Sequence, residues 1–450
     1  MHFDSLHAGT ACIPAFFLSL ALAWALPGAA TAASLTLADA QRIAVERSRQ
    51  IAAQDASITS SREIAIAATR LPDPLLRMGI DNLPIEGSDR FSLERDFMTM
   101  RRIGVMQELT RADKRQLRGE RFEREADRAT AERNAVIAAI QRDTAIAWLD
   151  RFYLERLRAT VSEQAHESGL EIQAAEGAYR GGRASQTEVI SARASRLMLE
   201  DRLSELDKRI RNARAMLGRW IGDAAAESPL GSAPSLDTVP IHAHALAAQL
   251  ERHPTIAVLG QDMAIAQTEA QLAQANKRVD WSWELAYQKR GSAFSDMVSI
   301  GVSIPLQWDQ KNRQNRELSA KLALAERATA QRDEALRQHV AEVQVMLNEW
   351  ENGRERVRRY EQELNPLVRE RTQAALAAYR GGKGDLAAVL SARRNEIDVR
   401  AQALQLQIDT ARLWAQLRFL YPDGGDGFSV SGDWRAPAAV GTTPNVWEAR

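Results

Sequence analysis

Over most of the chain, apolar residues recur three and four positions apart, set among Ala, Arg, Glu, Gln and Leu, the vocabulary of long helices. Leu199, Leu203, Leu206, Ile210, Ala213, Leu217 and Trp220 step by four and three, and Val399, Ala403, Leu406, Thr410, Leu413, Leu417 and Leu420 repeat the spacing. Strict four-three spacing predicts coiled-coil seams. No proline falls between Pro84 and Pro229, so arms over 112–178 and 310–379, about 65 to 70 residues each, are expected to run on the order of 100 Å. Pro366 lies inside the later arm and is expected to kink it.

In two windows the period falls to two. Trp281, Trp283, Leu285 and Tyr287 alternate with Ser282, Glu284, Ala286 and Gln288; after a polar turn, Val298, Ile300, Val302, Ile304 and Leu306 alternate with Ser299, Gly301 and Ser303. That is a hairpin. Earlier in the chain Leu76, Met78 and Ile80 alternate with Arg77, Gly79 and Asp81, and beyond a polar loop around Pro84 to Asp96 a second strand carries Ile103, Val105 and Leu109 on one face. Four strands are therefore predicted, at about 75–83, 98–109, 281–288 and 297–306.

The two windows belong to a duplication with a spacing of about 200 residues. Ala178-Tyr179-Arg180-Gly181-Gly182 recurs as Ala378-Tyr379-Arg380-Gly381-Gly382, and Val189-Ile190-Ser191-Ala192-Arg193 as Val389-Leu390-Ser391-Ala392-Arg393. Ile103-Gly104-Val105, with Leu109 and Lys114, recurs as Ile300-Gly301-Val302, with Leu306 and Lys311. Each half reads as helix, β-hairpin, very long helix, Gly-Gly turn, long helix. The first spans 33–222 and the second 254–421, joined by a linker at 223–253 in which Pro229, Pro234 and Pro240 interrupt any helix.

Composition adds the compartment. Ala11 to Leu26 is an apolar run too short to span a bilayer, and Ala30-Thr31-Ala32 fits a small-x-small cleavage site, so residues 1–32 read as a secretory signal. Its n-region has His2 and His7 but no Lys or Arg, a departure from type that puts the start codon in question. The single cysteine, Cys12, falls inside this segment, at the start of the apolar stretch and not at the cleavage site, which argues against a lipoprotein anchor. Lys and Arg total 59 and Asp and Glu 59, without the basic surplus of a nucleic-acid binder. The stretch 422–450, rich in Gly, Ala and Pro, reads as a weakly ordered tail.

An isolated soluble hairpin would turn its small polar face to water and its apolar face to a core. Export, aromatic residues near the strand ends and small groups on the opposite face favour the apolar-out, polar-in wall of an outer-membrane barrel. Arg101 shares the parity of Ile103, so it is expected to lie above the hydrocarbon. Four strands cannot close a barrel, and open edges are not tolerated in lipid. Subunits must pool strands: two would give a filled barrel of eight, three a barrel of twelve with a lumen, and the small inward groups favour three.

The duplicated order and the two Ala-Tyr-Arg-Gly-Gly turns, followed by Val-Ile-Ser-Ala-Arg and Val-Leu-Ser-Ala-Arg, resemble the TolC family of outer-membrane efflux ducts over about 35–421. Leu71-Pro72-Asp73-Pro74, Asp81-Asn82-Leu83-Pro84 and the run from Asp96 to Glu108 resemble its heavy-metal branch, serving copper–silver or cobalt–zinc–cadmium exporters. The resemblance implies a mainly α fold with a small β part: a homotrimer whose twelve-stranded β-barrel in the outer membrane continues as a periplasmic α-helical coiled-coil barrel. It implies two protein partners, a periplasmic adaptor and an inner-membrane pump of the resistance–nodulation–division type, and no chemistry in the duct itself. The helix-hairpin tips, here 179–193 and 379–393, would close the tunnel and dock the adaptor. Tyr179, Arg180, Gly181, Gly182, Arg183 and Glu188 fall in the first tip and Tyr379, Arg380, Gly381, Gly382, Lys383 and Asp385 in the second. Family members hold the gate partly with carboxylates just past each Gly turn. Glu188 matches such a position, but its second-repeat counterparts are Ala388 and Ser391, and the nearby acid is Asp385. Glu188 with Arg183, Arg180 or Arg380 is the expected ionic latch.

Met98, Met100 and Met106 share one parity, on the lumen side, and thioethers suit Cu(I). Methionine more often fills space, so these are weak metal candidates. His242, His244 and His253 have no third ligand at a set spacing and read as surface histidines. No Walker loop, Gly-x-Ser-x-Gly, His-Glu-x-x-His or Cys pair is present, so neither enzyme nor cofactor is expected. The alternatives are a duct of the same fold serving drug efflux or type I protein secretion, and an exported coiled-coil adaptor.

Overall fold

The computed structural model describes residues 34–182 and 185–422. The expected signal segment, Arg183 and the tail from 423 onward lie outside the described residues.

Two helices, α1 (Leu37–Arg47) and α2 (Arg49–Ala68), precede the first hairpin. Ser48 separates them, and its hydroxyl accepts from the Ile51 amide at 3.3 Å to start α2. After strands β1 (Leu75–Asp81) and β2 (Met100–Leu109) comes α3 (Ala112–Arg180), 69 residues without a break and about 100 Å long. It is the spine of the molecule: α2, its antiparallel partner α4 (Gln186–Ile221), α7 (Pro254–Ala275) and α10 (Leu386–Arg418) all pack on it. Between α4 and α7 the chain is broken at its prolines, yet it forms two short helices, α5 (Asp223–Ala226) and α6 (Leu246–Leu250).

The second repeat follows α7 with strands β3 (Trp281–Lys289) and β4 (Met297–Ser303), then α8 (Gln314–Arg359) and α9 (Asn365–Arg380). The bend expected at Pro366 takes the form of a π turn, Tyr360–Leu364, between α8 and α9. Pro366 lacks an N–H and its ring crowds the carbonyl four residues back, so the helix gains one residue per turn there, and the Asn365 amide reaches the Tyr360 carbonyl.

The α4 seam is as expected: Leu199, Leu206, Ile210, Ala213 and Leu217 are buried, with Leu203 and Trp220 half-buried. The α10 seam is wider than its four-three pattern. Val399, Leu406 and Leu413 are only half-buried, whereas Ile397, Ala401, Ile408, Ala411, Trp414 and Ala415 are buried. The cause is the number of neighbours: α10 packs against α3, α8 and α9 at once, so it buries more than one stripe.

The core centres on Trp148, fully buried, stacked on Phe152 at 5.3 Å and donating through Nε1 to the Leu35 carbonyl at 3.1 Å. Arg151 is equally deep, and is tolerated because its guanidinium meets the Ala226 carbonyl at 2.6 Å and Glu155 at 2.9 Å. His253, read from sequence as a surface histidine, is buried instead. Its ring lies 4.3 Å from that of His339 and 5.7 Å from that of Tyr421, at the junction where α7, α8 and the end of α10 meet. His242 and His244 are exposed, as expected.

All four strands form one antiparallel sheet in the order β1-β2-β3-β4. The two hairpins join through β2 and β3, so strands from different repeats pair directly, with Ile103 opposite Tyr287 and Val105 opposite Leu285. Strands β1 and β4 end earlier than expected, at Asp81 and Ser303, and each has one edge without a partner among the described residues.

A Cβ on Gly353 would lie 2.6 Å from Thr410 Oγ1, whose hydroxyl is anchored on the Leu406 carbonyl at 2.8 Å. Gly353→Ala is therefore expected to destabilise by about 1–3 kcal/mol, against the gain Ala normally gives inside a helix, and Thr410→Ala should restore that gain, as thermal unfolding of the single and double variants will show. Burial, then the neighbouring His339 and Arg142, hold the His253 imidazole down at about 4 from an ordinary 6.5. The neutral ring's contribution is thus complete above pH 6.5 and is lost as the pH falls from there through about 4; His253→Gln should flatten the pH dependence of unfolding in that window.

Candidate functional site

The sheet's two faces differ in kind. Residues directly opposed in an antiparallel ladder share a face, so the pairing gives its composition row by row. Ile80, Arg101 and Lys289 form the row farthest from the helices; next come Met78, Ile103, Tyr287 and Val298, then Leu76, Val105, Leu285 and Ile300, then Gln107, Trp283 and Val302, and finally Leu109 and Trp281. Apart from Gln107, everything below the first row is apolar or aromatic. Most of these side chains are exposed, Ile300 by 79% and Met78 by 73%. From first row to last is eight residues, about 27 Å along the strand, or roughly 20 Å when tilted by 35–45°. Arg101 stands in the end row, as its parity required, 3.7 Å from Glu94.

The opposite face was expected to present small polar groups, and that expectation is incomplete. Gly79, Gly104, Ala286 and Gly301 are there, but Arg77, Arg102 and Glu284 lie across them. Arg102 pairs with Glu284, Arg77 reaches the same carboxylate at 3.4 Å, and Asp81 stands 3.8 Å from Arg102. Gln288 and Ser299 exchange hydrogen bonds at 2.7 and 3.0 Å. Met100 and Met106 are on this face of β2. Met98 is not in the strand: Asp96 accepts from the amides of Met98 at 2.8 Å and Thr99 at 3.0 Å, a local turn that delays β2 to Met100.

Where sheet meets helices, Lys114 is buried and donates to the Arg278 carbonyl and to Asp280, 2.8 Å away, which also accepts from the Arg111 amide at 2.9 Å. Burial pushes the Asp280 carboxyl up, but the Lys114 ammonium and the Arg111 amide together hold it below the usual range. This clamp ties the start of α3 to the start of β3 and so fixes one repeat against the other.

At the far end the two helical hairpins close in turns of the same geometry. Gly182 and Gly382 both have φ of 69°, where a side chain would be strained, and their amides return to the carbonyls of Tyr179 at 3.0 Å and Tyr379 at 3.1 Å. The turns are brought side by side by a small core of Ala175, Val189, Ala192, Leu386, Val389 and Leu390. Tyr379 packs against it, whereas Tyr179 is 49% exposed; Arg180, Gly181, Arg380, Gly381 and Lys383 are exposed.

Each acid singled out at the tips caps its own helix. Glu188 and Ser185 form a reciprocal box: the Ser185 amide donates to the Glu188 carboxylate at 2.6 Å, and the Glu188 amide donates to the Ser185 hydroxyl at 3.3 Å. Asp385 accepts from the Ala388 amide at 2.7 Å. The second repeat thus keeps only the forward half of the box, since Ala388 has no side chain to return to the cap. Arg180 donates to the Glu176 carbonyl at 3.3 Å. The ion pairs beside the tips involve the arginines of the repeated Ser-Ala-Arg motif: Arg193 with Glu176 at 2.6 Å, and Arg393 with Glu167 at 2.7 Å and Glu171 at 3.2 Å across the repeat boundary. Burial raises the Glu171 carboxyl despite Arg393. The sequence signal for these pairs was the 200-residue recurrence of the arginine itself.

No protein-family model matches the chain, and no curated protein matches it in sequence. Solved structures do. The outer-membrane channel OprN superposes with a TM-score of 0.72 at 16% identity, covering 86% of this chain and 90% of that one. The outer membrane protein VceC from Vibrio cholerae gives 0.71 at 19%, covering 85% and 95%. CusC, whose structures bear on folding and transmembrane channel formation, gives 0.70 at 13%, covering 85% and 91%. The chain therefore has the fold of TolC-like outer-membrane channels, mostly helical with a small antiparallel sheet. These likenesses do not single out the heavy-metal branch. Among the described residues no helix is long and apolar enough to cross a membrane, and no group of three or more His, Cys, Asp or Glu could hold a metal.

The two possible roles of Glu188 separate experimentally. Gln retains the reciprocal cap and removes the charge, so Glu188→Gln should unfold close to wild type while Glu188→Ala loses about 1 kcal/mol. If Glu188 is also a latch, both variants should raise single-channel conductance; unchanged conductance would leave it a cap alone.

Proposed function

We propose that this chain is one subunit of a trimeric outer-membrane duct that delivers the cargo of a tripartite resistance–nodulation–division efflux system to the exterior. The observation that carries the reading is the sheet: a continuous, exposed face four apolar rows deep below a basic end row, with an edge on each side that has no partner among the described residues, at the end of helices about 100 Å long. An open edge in hydrocarbon leaves backbone groups unsatisfied at several kcal/mol each. Pairing β4 of one copy with β1 of the next removes every edge when the ring closes. Three copies give twelve strands and a lumen, whereas two give eight strands filled by their own side chains.

On this reading the rows from Met78 to Trp281 face lipid, Arg101 and Lys289 stand at the outer rim, and the helical arms cross the periplasm. The tips at 179–193 and 379–393 form the gate and the surface that meets a periplasmic adaptor, with Glu188, Arg180, Arg183 and Arg380 available for an ionic latch. Heavy-metal cations of the copper–silver or cobalt–zinc–cadmium class are the proposed cargo, a choice supported by the 71–108 stretch.

The deciding measurement is the native mass of the protein extracted from the outer-membrane fraction in mild detergent. A trimer that withstands urea or carbonate washing is the expected result, and a soluble periplasmic monomer would overturn the duct. Given a trimer, an in-frame deletion should lower tolerance to at least one of copper, silver, cobalt, zinc and cadmium, alone or beside duct paralogues. Unchanged tolerance to all five would remove the metal assignment and leave the duct intact.

A further inference from the structure

The polar face of the sheet holds a charge cluster that the duct reading does not explain. Arg77 on β1 and Glu284 on β3 are two strands apart, close to 10 Å of sheet at about 4.8 Å per strand, yet their side chains meet at 3.4 Å. They can do so because Gly104, directly opposite Arg77, and Ala286, opposite Gly104 and one row from Glu284, carry too little side chain to stand in the way of a diagonal reach. A Cβ there would stand 2.8 Å from the Ala286 Cβ and 2.9 Å from the Leu285 carbonyl oxygen. Gly104 and Ala286 are the floor of a trough, and the Arg77 side chain lies over it. Arg102 enters the same trough from its other end and pairs with the second oxygen of Glu284. The side chains of Glu284 and Arg102 are only 19% and 29% exposed, and Ala286 beneath them is 1% exposed, all within a single chain. Two guanidiniums share Glu284, and Asp81 approaches only Arg102, at 3.8 Å.

A charge is normally placed on a barrel's inner face where water can solvate it freely. Here three are drawn together and pressed onto the wall, with Glu284 as the hub. Resting on the duct reading, we propose that Arg77, Arg102 and Glu284 form an ion-paired belt around the barrel lumen, and that Glu284 sets the barrel's preference between anions and cations. Paired, and with Asp81 beside Arg102, the belt is close to neutral and leaves the bore open to ions of either sign. Without Glu284 the two guanidiniums lose their shared tether, gain one positive charge per copy and extend into the bore. Removing Arg102 leaves Arg77 alone against Glu284 and Asp81, and the belt turns negative. Rings of charged side chains are a general means of selecting ions at close quarters.

The test is the reversal potential of single channels formed by the purified trimer in a potassium chloride gradient. Glu284→Gln should raise the chloride-to-potassium permeability ratio by about threefold or more, Arg102→Gln should lower it by a similar factor, and the charge-balanced double variant should return close to wild type. Should Glu284→Gln not assemble, Arg102→Gln and Arg77→Gln still read the belt, since each must shift the ratio toward potassium. A functioning channel whose ratio is the same in wild type and in the single variants overturns the belt while leaving the duct standing. A wild-type protein that forms no channel overturns the duct, and the belt with it.

Discussion

The pairing of β2 with β3 is the constraint on which the rest depends. It joins the two repeats, and because side chains alternate across a strand it must hold one register out of two parities. In the observed register Ile103, Val105 and Leu109 line up with Tyr287, Leu285 and Trp281, giving one apolar face across all four strands. A slip of one residue would place Arg102 and Glu108 on that face and bring Ile103 and Val105 to the other. The register is fixed locally by Gly104 against Ala286, a close approach that a larger residue at either position would prevent.

Below the sheet the same register is passed to the helices by short polar devices rather than by apolar bulk. Lys114 and Asp280 fix α3 against the strand that begins the second hairpin, so both long arms leave the sheet in a set relation. The arms then run in parallel over a core built on Trp148, Leu217, Ile408 and Leu417. Because the arms are long, a small angular error near the sheet would become a large displacement at the tips. The small core at Ala175, Val189, Leu386 and Val389 corrects for this by gripping the two hairpins at their ends. The π turn before Pro366 lies between these two fixed points.

How much was legible in the sequence follows from how local each determinant is. The helices, the hairpins and the Gly-Gly turns are written in periods of 3.6 and 2 and in residues that tolerate positive φ, so they were readable. The extra buried stripe on α10 depends on how many neighbours surround the helix, whereas periodicity records one face at a time. At Met98 the alternation of a strand continues through the turn that Asp96 imposes, so the pattern there does not mark where β2 starts. Nothing near His253 in sequence announces its burial by His339 and Tyr421, which arrive from 86 and 168 residues away. Arg77, Arg102 and Glu284 each carried the right parity, but their meeting depends on a pairing between repeats that no local pattern specifies.

The duplication has not kept the two tips equivalent, and the differences point in one direction. The first tip leaves Tyr179 exposed and spends Glu188 on its own cap, with Arg193 paired inside the same hairpin. The second tip tucks Tyr379 against the shared core and sends Arg393 across to Glu167 and Glu171 of the first hairpin. The second hairpin is therefore tied to the first through both apolar and ionic contacts made mostly by its own side. Exposed ion pairs are worth only ~0–1 kcal/mol, but Arg393 and Glu171 are 19% and 11% exposed, where screening by water is weaker. Relative motion of the hairpins would have to break the Arg393 contacts before it could disturb either cap. The residues that hold each tip in shape and the residues that hold the tips together are thus different sets, so breaking the contacts between the tips leaves the hydrogen bonds of each turn in place.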